Sequence, residues 1–492
     1  MKRWLLLVSS AVLYLAAFPP LNLGLLVFVA LVPLLLALDG ATARESKLLG
    51  FVWGFNVVGF QMIWIPKLVT QWTGNAPLGI LPLLVCAVIG GGYYVLVATL
   101  LRRCLELKWW WALVFVWVGF EVVRSYIPGL AFPFFLTATP LWPYPALIQS
   151  AFIGTVYLVS AWVVVINILA LFFLTKVSFK ATRPYIAVSV IILVSSLLRF
   201  TQPIKGTATR ITAGQPGVDM AFTARNEQDA KLFGNVEYIS ARARGNRSKL
   251  LVLPEGVAQS DGFGVPVTPF RVDPDLPILF GGMRVEMSGE IKKGTTMSSK
   301  RYQSAFTLNK GKWEHVDKAR LVVFGEYVPG RNFIPFLSQF KLSDQDLTPG
   351  AETKSITAGG IKVGPMICFE GLFWDVAHKQ SENGAQMLAV MSLDDWYMGT
   401  PAPDQLRTAA VWRAVETGLP VVRAASTGYT MGVDQRGKII NEAPLGKAFA
   451  LHLRVYLEDN PVKVPTRALF PWAFGIAFPI VSVLLWRRRS AA

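Results

Sequence analysis

The sequence predicts two fold classes in one chain: a multi-span α-helical membrane domain, and an α/β domain of layered architecture. Three observations predict this. The chain of 492 residues is 53% hydrophobic and only 16% charged, far from an average soluble composition, and its long apolar runs cluster at the two ends. The stretch from about Thr207 to Thr466 has an ordinary globular composition. Within that stretch strand-like and helix-like patterns alternate, which implies sheets layered with helices. The expected organisation is a membrane domain over 1–200, an extracytoplasmic domain over 205–465, and a final span with a basic tail over 467–492.

The apolar runs are Trp4–Phe18, Leu21–Leu38, Leu48–Pro66, Pro77–Leu101, Trp109–Val123, Tyr144–Leu174, Tyr185–Leu198 and Ala468–Trp486. Most approach the ~20 residues a helix needs to cross the hydrocarbon core, although the first, fifth and seventh are short and the sixth is long. They are expected to give about seven spans before the soluble domain and one after it. Lys2-Arg3 before the first run resembles a signal-peptide start. Pro19-Pro20 and a second run follow without a small-residue cleavage site, so the segment is expected to be retained.

Basic residues set the orientation. Alternate connections hold Lys2 and Arg3; Arg44 and Lys47; Arg102, Arg103 and Lys108; Lys176, Lys180 and Arg183; and Arg487, Arg488 and Arg489. The opposite connections hold only Lys67 and Arg124. Both termini are therefore expected on the cytoplasmic side and the soluble domain on the outer side. The net charge of +17 lies largely in these loops, where it favours anionic lipid headgroups. That placement argues against a nucleic-acid partner.

Within the spans, Glu121 and Arg124 share a helix face at i,i+3 and are expected to pair, either as a functional site or as an interfacial structural pair. Asn56, Gln61, Gln149 and Asn167 would line a groove or bond helix to helix. The Pro- and aromatic-rich connection Ser125–Pro143 suits an interfacial re-entrant loop. Gly90-Gly91-Gly92 reads as helix packing or a local break.

In the soluble region, strands are expected at Arg210–Ala213, Lys249–Leu253, Leu276–Phe280, Ile361–Ile367, Met387–Met391 and Pro420–Ala424. Tyr302–Leu308 and Trp313–Val316 form a hairpin around Asn309-Lys310-Gly311. Helices are expected over Ala224–Arg244 and Pro403–Glu416 and, after Gly371, over Leu372–His378.

Three polar residues follow apolar strands: Glu255, Lys318 and Cys368. Strand ends are where layered α/β folds build their sites. Each also has a plain structural alternative: a cap for Glu255, a surface position for Lys318, with Asp317 pairing Arg320, and core filling for Cys368. A helix starting just after Cys368 would favour its thiolate. The other cysteines are Cys86, in an apolar run, and Cys104, in a short basic loop. Their spacing gives no zinc site, and no metal, nucleotide or other cofactor is expected. A Cys–His pair would have to use His315, His378 or His452, none in a distinctive motif.

Taken together, Leu253-Pro254-Glu255, then Asp317-Lys318 with Phe324-Gly325-Glu326-Tyr327-Val328-Pro329, then Ile367-Cys368-Phe369-Glu370 resemble the nitrilase (carbon–nitrogen hydrolase) superfamily. With spans before and after the domain, the whole chain resembles the apolipoprotein N-acyltransferase family. The resemblance implies an αββα sandwich with a Glu–Lys–Cys triad in the inner (cytoplasmic) membrane of a bacterium, its catalytic domain on the periplasmic side. It implies acyl transfer from a phospholipid, with phosphatidylethanolamine expected, to the α-amine of a diacylglyceryl-cysteine at a lipoprotein N-terminus. The enzyme is expected to be a monomer.

The residues suit that chemistry. Cys368 would attack the ester and form a thioester, Glu255 would act as general base, and Lys318 with a backbone N–H near Phe369 would stabilise the oxyanion. Glu326 would hold Lys318 or support the base, and Glu370 would play a supporting role. Asn332–Leu337 and Asp395-Trp396-Tyr397-Met398 are candidate lids over a lipid pocket. The sequence departs from the family's pattern at Gln215-Pro216-Gly217, Leu253, Val323, Phe369 and Asp394-Asp395-Trp396-Tyr397. A membrane-anchored amidase or hydrolase of small substrates is the alternative.

Overall fold

The structure is a computed structural model that describes residues 1–127, 131–260, 265–288, 298–309, 311–330 and 346–488. Its chain forms two compact units, residues 1–202 with 464–492 and residues 203–463.

The first unit is helical. Its helices are α1 (Lys2–Ala17), α2 (Val27–Ala30), α3 (Val32–Leu38), α4 (Ala43–Gln61), α5 (Ile65–Thr73), α6 (Ala76–Glu106), α7 (Trp110–Tyr126), α8 (Ala151–Leu174) and α9 (Phe179–Phe200), with a C-terminal helix over Leu469–Arg487. Among the described residues, Ala76–Glu106, Ala151–Leu174, Phe179–Phe200 and Pro465–Arg487 are long and apolar enough to cross a membrane. A fifth crossing results if Ala43–Gln61 and Ile65–Thr73, bent by 54°, count as one. These helices fit a membrane protein.

The expected second run is broken. A tight turn at Gly24–Leu26 and the short helices α2 and α3 replace one continuous span. The fourth run extends beyond its apolar stretch, because Arg102 and Arg103 both pair with Glu106 at 3.0 and 2.8 Å. Cys104, expected in a loop, therefore lies buried inside α6.

Local chemistry sets the boundaries. Thr42 and Glu45 form a reciprocal cap at the start of α4, with bonds of 3.2 and 2.8 Å. Close approach of α4 and α6 depends on glycine. A Cβ on Gly50 would sit 2.3 Å from the Tyr94 carbonyl oxygen, and one on Gly90 would meet the Val58 side chain at 2.6 Å. In the glycine run, Gly90 and Gly91, the latter against Phe51, thus serve helix packing, whereas Gly92 meets nothing within 4 Å. Asn167 bonds helix to helix, donating to the Val27 carbonyl and accepting from the Leu31 N–H at 2.8 and 2.9 Å.

Glu121 and Arg124 do not pair with each other. Glu121 accepts the N–H and hydroxyl of Thr137 at 2.6 and 2.7 Å, and Arg124 donates to the carbonyls of Phe132 and Phe135 at 2.9 and 3.1 Å. The two charges pin the connecting loop by satisfying buried backbone groups.

The second unit contains β1 (Thr207–Gln215), α10 (Arg225–Gly245), β2 (Leu250–Val252), a two-stranded hairpin of β3 (Gln259–Ser260) and β4 (Pro266–Val267), β5 (Ile278–Ser288), β6 (Ser298–Asn309) and β7 (Lys312–Asp317). It continues with β8 (Ile356–Ala358), β9 (Ile361–Ile367), α11 (Trp374–Glu382), β10 (Met387–Ser392), α12 (Ala402–Thr417), β11 (Val421–Ala425), β12 (Met431–Val433), β13 (Ile439–Glu442) and β14 (Phe449–Leu457). One sheet has the order β14-β1-β2-β5-β6-β7, the other β13-β12-β11-β10-β9-β8. In each sheet the central pairs are parallel and the outer pairs antiparallel.

Side chains alternate across β2. Leu250 and Val252 enter the core between the sheets with Val363, Ile367, Ala389, Met391 and Ala424, while Leu251 and Leu253 face Leu232, Val236 and Ile239 of α10. Helices α11 and α12 pack on β9 and β11 of the other sheet. The result is the expected αββα sandwich.

Candidate active site

Three strand ends build the site. Glu255 follows β2, Lys318 follows β7, and Cys368 follows β9. Thus two residues come from one sheet and the third from the other.

The backbone holds each in place. A Cβ on Gly281 would lie 2.7 Å from the Glu255 Cα, so β5 runs against Glu255 as only glycine allows. The Lys318 N–H donates to the Gln303 carbonyl and its own carbonyl accepts from Gly350, each at 2.7 Å. Cys368 has φ of +50°, the left-handed region that a non-glycine residue seldom occupies. This sharp turn lifts the thiol off the end of β9 at a half-buried position.

The side chains converge. Lys318 Nζ lies 3.9 Å from Glu255 Oε1 and 2.6 Å from Glu326 Oε1. The Cys368 thiol lies beside the Glu255 carboxylate, which accepts from Gln303 Nε2 at 2.9 Å. Glu326 Oε2 accepts the Val322 N–H at 2.8 Å, so the loop carrying Glu326 closes on itself behind the lysine. Glu370 is buried, and its carboxylate accepts three backbone N–H groups, from Ala319 and Arg320 at 2.8 and 3.1 Å and from Ile367 at 2.9 Å. It ties the lysine loop to the cysteine strand. The Phe369 ring packs edge-on against Phe373, with centroids 5.2 Å apart.

Burial governs the protonation states. It raises the Glu255 carboxyl to about 7 against the opposing pull of Lys318. Burial alone would lower Lys318, but Glu326 and Glu255 outweigh it and push the ammonium up. The Cys368 thiol is pushed up to about 12 by burial and by the Glu255 charge. Burial and the Glu255 charge thus oppose the thiolate that a helix starting just after Cys368 would favour. The residues after Cys368 form a tight 3-10 turn over Cys368–Leu372, and the helix starts only at Trp374.

Other expectations change as well. Asp317 pairs with Arg284 through two bonds of 3.0 and 2.8 Å, and Arg320 with Asp375 at 2.7 Å. The histidines are engaged elsewhere: His315 lies against Phe306, His378 beside Trp374, and His452 on Thr212. The candidate lid Asn332–Leu337 lies outside the described residues, as does Lys310 of the hairpin turn. In the other candidate lid, Trp396 packs on Phe222. Asp395 accepts from Ser426 at 2.5 Å, from Thr427 and from the Met220 N–H at 3.1 Å. The sequence reading missed Gln303, on a strand without a motif, and Ser392, whose hydroxyl lies 3.5 Å from Cys368 Sγ. Ser392 ends a strand that the sequence marks, and that position is its only signal.

The sandwich, with a carboxylate, an ammonium and a thiol meeting at its strand ends, defines the class as carbon–nitrogen hydrolases, and residues 210–448 match the carbon–nitrogen hydrolase family model. Residues 10–169 match the apolipoprotein N-acyltransferase N-terminal domain. The chain is 29% identical to an apolipoprotein N-acyltransferase of Geobacter metallireducens, over 99% of this chain and 96% of the relative. It is 26% identical to that of Sinorhizobium medicae, covering 96% and 93%, and 25% identical to that of Haemophilus influenzae, covering 90% and 86%. The chain belongs to the apolipoprotein N-acyltransferase family of the nitrilase superfamily.

Proposed function

We propose that this chain moves a fatty acyl group from a membrane phospholipid to the α-amine of an N-terminal diacylglyceryl-cysteine on lipoproteins, through a thioester on Cys368. The observation that carries this reading is the meeting of Glu255, Lys318 and Cys368 at the ends of three strands, with Nζ 3.9 Å from the carboxylate.

Glu255, with its carboxyl near 7, takes the thiol proton as Sγ attacks the ester carbonyl. Lys318 faces the developing oxyanion with the N–H near Phe369. The ester C–O bond breaks, the lysophospholipid oxygen takes the proton from Glu255, and the acyl group stays on sulfur. In the second half the lipoprotein amine attacks the thioester, Glu255 accepts its proton, and the C–S bond breaks. The proton then returns to sulfur. A thiol that rests protonated limits side reactions between lipids. Glu326 keeps Lys318 charged, and Glu370 fixes the spacing of the two loops.

Phosphatidylethanolamine is the proposed donor. The proposed setting is a monomer with eight crossings in a bacterial inner membrane, both termini inside and the sandwich on the periplasmic face. The basic asymmetry of the loops supports this orientation.

The test is intact-mass spectrometry of the purified chain incubated with phosphatidylethanolamine. A fatty-acyl increment on Cys368 that hydroxylamine removes, absent from Cys368→Ala, is expected. Addition of a diacylglyceryl lipopeptide should clear it and yield the N-acyl product. Release of free fatty acid alone would replace this reading with a hydrolase.

A further inference from the structure

Ser392 ends β10 beside the nucleophile and is 1% exposed. Its Oγ lies 3.5 Å from Cys368 Sγ and 2.7 Å from Asp394 Oδ1. A serine hydroxyl has one proton, so it donates to one of these acceptors at a time. While sulfur is a thiol, the carboxylate is the stronger acceptor, and the proton points to Asp394.

Asp394 does not depend on that proton. Arg423 Nη2 and Nη1 donate to its two oxygens at 2.7 and 2.9 Å, and the Tyr429 N–H reaches Oδ2 at 3.3 Å. Asp394 and Arg423 are 0% and 1% exposed, and the guanidinium balances the carboxylate where water does not enter. Ser392 can therefore turn away without leaving a buried charge unpaired. Sulfur is in a different position. Once Glu255 holds its proton, the thiolate is a half-buried anion with Lys318 as its cation, and Lys318 must also serve the carbonyl oxygen of the substrate. A second donor on sulfur frees the lysine for that role.

We propose that Ser392 is a catalytic residue that hydrogen-bonds the Cys368 thiolate, swinging its single O–H from Asp394 to Sγ whenever the negative charge sits on sulfur. This inference rests on the thioester reading above. In the first half-reaction the bond forms as Glu255 takes the thiol proton and loosens as the S–C bond forms. In the second it forms again as the C–S bond breaks and sulfur leaves as thiolate. No proton is transferred to or from Ser392.

The test measures the rate at which iodoacetamide alkylates Cys368 in the full chain in detergent, mapped by peptide mass, from about pH 5.5 to about 9. The same preparations are scored for acyl-enzyme formation from phosphatidylethanolamine. The proton acceptor Glu255 sets the midpoint of the profile and the donors on sulfur set its plateau. Ser392→Ala is expected to lower the plateau about ten- to a hundred-fold, the worth of a hydrogen bond to a charged group, and to leave the midpoint where it was. Acyl-enzyme formation should slow in parallel, with the donor concentration for half-maximal rate unchanged. Ser392→Thr keeps the hydroxyl and should retain the wild-type plateau. Ser392→Val, its isosteric partner without a hydroxyl, should behave as Ser392→Ala, and this pair decides the matter if the alanine variant does not fold. A plateau within two-fold of wild type in both Ser392→Ala and Ser392→Val, or equal losses in the threonine and valine variants, overturns the role of Ser392. If wild type forms no acyl-enzyme at Cys368, the thioester reading fails instead.

Discussion

Lys318→Met removes the cation at the centre of the site while keeping a side chain of similar length. In the wild type the ammonium lies 3.9 Å from Glu255 Oε1. At that separation, with an effective dielectric of about 20, the attraction is of the order of 4 kcal/mol. Its loss raises the Glu255 carboxyl by at most ~3 pH units, from about 7 toward about 10. Glu326, which has lost the same partner, pushes in the same direction. At pH 8 the ionised fraction of the base then falls about a hundred-fold. Loss of the oxyanion donor removes about another 10² to 10³ in rate. The two losses separate by pH, because a base works only when deprotonated. Single-turnover acyl-enzyme formation should rise through about pH 7 in the wild type. In Lys318→Met the rise should move upward by one to three units, roughly, and level off at a plateau that alkali does not restore. The assay is quenched-flow mass spectrometry of the acyl-enzyme over a pH series. A variant whose rise stays near 7 would refute the coupling of Lys318 to Glu255, and a wild-type plateau would refute its place at the oxyanion.

Two further outcomes follow from the same geometry. Burial raises the Asp395 carboxyl from its ordinary 3.8 to about 6, so its contribution to stability is full below the unfolded value and is lost as pH rises through about 6. Wild type should therefore gain up to ~3 kcal/mol over Asp395→Asn between pH 8 and pH 4, measured as the difference in their thermal melts; a constant difference would refute the assignment. In Gly428→Ala the new Cβ would lie 2.0 Å from Asp394 Oδ2 and force the carboxylate off Arg423. A loss of about 3 to 5 kcal/mol in the stability of the soluble unit is expected, read by urea denaturation.

Much of the sandwich was legible because its strands are short apolar runs that end in polar residues. Leu250–Val252 and Met387–Ser392 are buried on both faces and read as such in the sequence. The carboxylate, ammonium and thiol were found because each stands directly after such a run and within a recognised string. Partners set by tertiary contact were not legible. Arg284 reaches Asp317 across the intervening strand β6, 33 positions away, where the sequence offered the nearer Arg320. Glu121 and Arg124 share a helix face, yet Glu121 is drawn to the N–H and hydroxyl of Thr137 and Arg124 to the carbonyls of Phe132 and Phe135. The left-handed turn at Cys368 carries no sequence mark, since glycine would be the residue to announce it. That turn postpones the helix to Trp374, while burial and the Glu255 charge push the thiol up.

The Glu370 carboxylate reaches N–H groups on segments that continue opposite sheets, Ile367 on one side and Ala319 and Arg320 on the other. If one layer slides over the other, those bonds stretch before the gap between sulfur and ammonium can widen. The interior that separates the layers is thereby released from setting that gap. Its aliphatic residues are free to be exchanged for others of similar volume as the protein diversifies, while the reacting groups keep their registration.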